Sequence, residues 1–98
     1  MTISKTQNGS VLEIALEGRL DTMTAPELEN EVRMIPDDVS DLTLDLENLE
    51  YISSAGLRVL LTAHKLMADK GGMKITHVNE TVQEVLEVTG FSDILEVI

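Results

Sequence analysis

Tyr51-Ile52-Ser53-Ser54-Ala55-Gly56-Leu57-Arg58 joins a stretch patterned as a strand to a stretch patterned as a helix. Upstream, Leu42, Leu44 and Leu46 alternate with Thr43, Asp45 and Glu47, the period of a half-buried strand. Downstream, Leu57, Leu60, Leu61, His64 and Ala68 recur at helical spacing, with Arg58, Thr62, Lys65 and Asp69 as a polar stripe. Ser53 and Ser54 therefore stand at a helix N-terminus, just past the carboxyl end of a strand. The first N–H groups of a helix have no intrahelical acceptor, and the helix dipole favours negative charge there. A serine in that place can be an ordinary N-cap, worth about 1 kcal/mol. It can also be a phosphate acceptor whose product the helix end tolerates.

Toward the C-terminus, the spacing predicts a helix over Leu57–Lys70, closed by Gly71-Gly72. A short strand over Met73–Val78 follows, then Asn79 as N-cap of a third helix carrying Val82, Val85 and Leu86. Gly90 is a natural stop for that helix, and Leu95–Ile98 reads as a last short strand. Toward the N-terminus, Ala25, Leu28, Val32 and Ile35 form the buried stripe of a first helix that Pro36-Asp37-Asp38 ends. Thr24 and Glu27 have the form of a capping box, and Pro26 suits the first turn. Thr2 to Glu17 reads as two strands around Asn8-Gly9, with Leu12, Ile14 and Leu16 on one face and Glu13 and Glu17 on the other.

The order β-β-α-β-α-β-α-β predicts an α/β fold: a mixed sheet, with an opening antiparallel hairpin and then parallel strands. Strands covered on both faces read as continuous apolar runs, whereas two strands here alternate cleanly. Right-handed crossovers that step steadily across a sheet leave their helices on one side. The expectation is helices mainly on one face and water on the other.

Ninety-eight residues suit a single domain over residues 1–98 with one core. Hydrophobic residues make up 43%, but Tyr51 and Phe91 are the only aromatics, so the core must be aliphatic. Few aromatics also means few platforms on which nucleic-acid bases could stack. A formal net charge of −11 argues against nucleic acid and against anionic membrane surfaces as partners. It suits a basic partner, or one met through an apolar patch. With no cysteine, thiol chemistry and disulfides are excluded. Neither a secretory signal nor a membrane span is visible, so a soluble, cytoplasmic chain is expected.

Several chemistries find no support. His64 and His77 have no ligand partner at helical spacing, so no metal is expected. Ser53 and Ser54 lie outside a G-x-S-x-G elbow and have no evident general base. Asp37, Asp38 and Asp41 match no calcium-loop spacing and read as a solvated acidic loop. Gly71-Gly72 follows a helix rather than opening one, and so forms a turn rather than a phosphate cradle.

Four pieces stand in a specific order: Gly18-Arg19-Leu20-Asp21 after the second strand, Leu44-Asp45-Leu46-Glu47-Asn48-Leu49 in the central strand, Ser54-Ala55-Gly56-Leu57 at the helix start, and Thr89-Gly90-Phe91 leaving the third helix. In that order and spacing, over nearly the whole chain, they resemble the STAS domain in its small form, the bacterial anti-sigma-factor antagonist. The resemblance implies a STAS-like mixed sheet and a regulatory protein, not an enzyme, with no cofactor. It puts the phosphoacceptor on Ser54, with Ser53 second. Ser53 stands where the family usually has Asp, and Ala55 follows the acceptor. The implied partner surface comprises Asp21, Thr22, Ser53, Ser54, Leu57 and Arg58. The implied partners are an anti-sigma factor that is itself a serine kinase and a PP2C-type phosphatase that resets the switch. A second reading keeps the fold without the phosphate cycle, as a scaffold or an accessory domain for small-molecule or lipid transport.

Overall fold

A computed structural model describes residues 1–98. The elements are β1 (Thr2–Asn8), β2 (Val11–Leu20), α1 (Ala25–Arg33), β3 (Asp41–Ile52), α2 (Ser54–Met67), β4 (Met73–Thr76), α3 (Glu80–Val88), a 3-10 turn over Phe91–Asp93 and β5 (Glu96–Val97). Spatial strand order equals chain order, β1-β2-β3-β4-β5, with β1 and β2 antiparallel and every later pairing parallel.

Leu12, Ile14, Leu16, Leu42, Leu44 and Leu46 are buried in one cluster with Leu28 of α1, Leu60 of α2 and Leu86 of α3. Glu13 and Glu17, on the alternate row of β2, are exposed. The helices therefore cover one face of the mixed sheet, as the period-two patterns require.

Local details depart from the sequence expectations for physical reasons. The hairpin loop is Gly9-Ser10, because Asn8 still pairs with Val11, and Gly9 takes the positive φ of 62° that the first loop position needs. β3 is much longer than Leu42–Leu46. It survives a register shift opposite Ala15–Glu17, after which both Glu47 and Asn48 face outward and Leu49 returns to the core. α2 starts at Ser54 and ends at Met67. Its buried face runs through Gly56, Leu57, Val59, Leu60, Ala63 and Met67, while Leu61 and His64 are half-buried and Ala68 is exposed. The face is set by Gly56, where a Cβ would come 2.7 Å from Leu20 Cγ and 3.0 Å from Ile52 Cγ1. Only a glycine lets this side of the helix approach the sheet so closely.

α1 stops at Arg33, which leaves Ile35 half-buried beyond it. β4 ends at Thr76 instead of Val78, since His77 adopts φ 57° and turns the chain out of the sheet. β5 is limited to two residues, with Leu95 buried just before it. Asn79 caps α3 as expected, accepting the Val82 N–H at 2.9 Å, and Gly90 follows the helix with φ 81°. Asp41 belongs to β3 and accepts the Ser40 hydroxyl at 2.9 Å, so it does not converge with Asp37 and Asp38 on an ion. Gly71-Gly72 is a turn, as expected.

Candidate functional site

The carboxyl ends of β2 and β3 lie side by side. Gly18, at φ 104°, takes up a second register shift, so that Arg19 pairs with Tyr51 and Leu20 with Ile52. A φ in that range is open to glycine at little cost. The Arg19 guanidinium then stacks 4.3 Å from the Tyr51 ring centre. The Ser53 N–H donates to the Leu20 carbonyl at 2.9 Å, which ties the start of α2 to the exit of β2. Asp21 and the two serines, more than thirty positions apart in the chain, are thereby brought together.

At this junction the serines have different roles. Ser53 has extended backbone (φ −97°, ψ 175°), and its Oγ accepts the Gly56 N–H at 3.3 Å; it is the N-cap. Ser54 is the first helical residue, exposed, with a hydroxyl that is not used for capping. Chain pattern alone left the cap open between the two.

The Asp21 loop is also built differently from the expected capping box. Thr24 makes no side-chain cap for α1. Its hydroxyl donates to the Arg19 carbonyl at 2.8 Å and accepts the Asp21 N–H at 2.9 Å. The Asp21 carboxylate instead closes the turn that leads into α1, accepting the N–H groups of Met23 at 3.0 Å and Thr24 at 3.1 Å. These bonds favour its charged form. Chiefly through the Thr24 N–H, against an opposing desolvation, and with help from the Met23 N–H, the Thr24 hydroxyl and Arg19, Asp21 is held below its ordinary pKa of 3.8.

Of the six surface residues expected from sequence, Thr22, Ser54 and Arg58 are exposed and Asp21 and Ser53 are half-buried. Leu57 is 5% exposed and offers little more than an edge. That edge borders an open depression of about 330 Å³ lined by Ser54, Leu57, Arg58, Leu61, Thr89 and Phe91. Leu61, Thr89 and Phe91 escaped the sequence reading as site residues. Leu61 follows Ser54 at helical spacing along α2, and only the placement of the α3 exit brings Thr89 and Phe91 beside them. The one available signal was Phe91 itself, one of two aromatics, placed directly after a helix-stopping glycine.

No helix is long and apolar enough to cross a membrane. Among known proteins, the chain is 30% identical over 99 residues to the anti-sigma-B factor antagonist of Staphylococcus aureus, covering 99% of this chain and 92% of that one. Its fold is that of an anti-sigma factor antagonist from Mycobacterium paratuberculosis, with a TM-score of 0.87 at 22% identity, covering 98% of this chain and 83% of that one. It is also that of the Bacillus cell fate determinant SpoIIAA in its phosphorylated form, with a TM-score of 0.76 at 15% identity, covering 99% of this chain and 91% of that one. The sequence profile of the STAS domain matches residues 2–98, and the chain belongs to that family.

Proposed function

We propose that this protein is an anti-sigma-factor antagonist: it binds an anti-sigma factor that is itself a serine kinase, and phosphorylation of Ser54 ends the complex. A PP2C-type phosphatase restores the binding form. The observation that carries this reading is the division of labour at the start of α2. Ser53 holds the cap, so Ser54 is an exposed hydroxyl with no structural duty, on the rim of an apolar depression. An unmodified Ser54 lets a partner seat an apolar side chain against Leu61 and Phe91. A phosphate there adds about −1.5 to −2 charges. The fold tolerates them, because a helix N-terminus favours an anion. A partner surface shaped for a neutral hydroxyl does not, because the charge must be desolvated beside Asp21 on the adjoining loop. The switch therefore lies in binding and not in folding.

The role is supported by the Staphylococcus aureus relative, which is an anti-sigma-B factor antagonist, and by SpoIIAA, which has this fold and a phosphorylated form. Incubation with bacterial cell extract and ATP, followed by intact-mass measurement and peptide mapping, tests the proposal. One phosphate on Ser54, absent in Ser54→Ala, is expected. Phosphate on Ser53 would move the acceptor by one residue. No phosphate and no anti-sigma binding would favour a scaffold or transport-accessory module.

A further inference from the structure

The helix-free face of the sheet carries a second group of chemically active side chains, remote in sequence from the serine turn. Asp45 and Glu47 of β3 meet His77, the residue that ends β4, with one donor atom from each within 4.8 Å of the others. His77 Nδ1 lies 3.2 Å from Asp45 Oδ1, and the Glu47 N–H donates to the same oxygen at 3.0 Å. We infer that Asp45, Glu47 and His77 form a binding site for a divalent transition-metal ion of the zinc class.

Three features support this. The donor set is one imidazole and two carboxylates, which suits zinc better than the all-oxygen shells of magnesium or calcium. The spacing fits as well. Two ligand atoms about 2.0–2.1 Å from a tetrahedral zinc are about 3.3 Å apart, close to the 3.2 Å observed between His77 and Asp45. Finally, neither carboxylate is neutralised by Lys or Arg; Asp45 has only His77 as an ionic partner, and Glu47 has none.

The backbone explains how the three converge. Asp45 pairs with Thr76 in the parallel register, so the residue after Thr76 emerges beside it. Glu47 follows Asp45 by two residues in β3, so strand alternation puts both side chains on the helix-free face. His77 is the one non-glycine residue at positive φ. Without metal, its Nδ1–H donates to Asp45. With metal, the neutral ring carries its proton on Nε2 and Nδ1 binds the ion together with the two carboxylates.

Isothermal titration of the chelator-treated chain with zinc chloride tests the site. One ion per chain is expected, and magnesium chloride at the same concentration should not displace it. His77→Asn keeps a residue at ease with positive φ, and it should weaken zinc binding at least about tenfold, no less than the loss of an outer-shell partner would. Glu47→Gln, at an exposed position, should also weaken it, while His64→Gln should leave it unchanged. Several weak ions per chain, or parent-like titration by folded His77→Asn and Glu47→Gln, would show general attraction to an acidic surface and overturn the site.

Discussion

The Oγ of Ser53 accepts the backbone N–H of Gly56 at 3.3 Å, and that bond separates two adjacent serines into a structural one and a free one. A cap removed to Ala costs about 1 kcal/mol, whereas an exposed side chain without partners changes stability by less than about 0.5 kcal/mol. Ser53→Ala should therefore lower unfolding stability by about 1 kcal/mol and Ser54→Ala should leave it nearly unchanged. Urea titration of both variants decides, and a larger loss for Ser54→Ala would reverse the assignment.

Ser54→Asp isolates charge from fold. At the first helical position a carboxylate gains about 0.3–1 kcal/mol from the helix end, so the variant should melt at or slightly above the parent temperature. Its affinity for the anti-sigma partner should fall at least about tenfold, which corresponds to about 1.4 kcal/mol. Parent-like affinity in this variant, read by titration calorimetry, would remove Ser54 from the switch.

Gly56→Ala sets two magnitudes against each other. In an open helix the change would stabilise by about 1 kcal/mol. Here the new methyl meets Leu20 Cγ at 2.7 Å and Ile52 Cγ1 at 3.0 Å. Overpacking of this kind costs about 1–3 kcal/mol, so the variant should be the less stable protein by thermal melting. It should also bind its partner less well, because the clash pushes the serine turn away from the Asp21 loop. A stabilised Gly56→Ala would mean that α2 has room to move off the sheet.

Asp21 gives the pH dependence. Its carboxyl is held below 3.8 first by the Thr24 N–H. A depressed carboxyl pKa means that the unfolded chain binds the proton more tightly. The Asp21 contribution is thus complete above about the ordinary value and is lost as pH falls through the lower folded one. Asp21→Asn should lower stability at neutral pH, where the carboxylate contribution is complete, and flatten the acid limb below pH 3.8, where the parent loses that contribution as well. Carbon NMR titration of the Asp21 carboxyl checks the direction; a midpoint above 3.8 would contradict the loop geometry.

Local pattern determined a large part of this protein. Alternation in β2 and β3 decided which face is buried, and the element order with its turn residues decided a mixed sheet with helices on one side. Asn79 and Gly90 marked the ends of α3, because capping and positive φ depend on one residue and its immediate neighbours. Ser53 and Ser54 were legible as a helix start for the same reason.

What lay beyond local pattern depended on register and close approach. The capping box at Thr24 had the right spacing, but its hydroxyl was drawn to the Arg19 carbonyl once the Gly18 shift placed that group nearby. The frame of α2 turned on the missing side chain of Gly56 against Leu20. Asp45 and His77 stand 32 positions apart and meet only because parallel pairing puts Asp45 beside Thr76. Periodicity reports which way a side chain faces along its own element. Which residue of another element it meets is decided by sheet register, bulges and the distance at which helices pack, and these exist only in the folded chain.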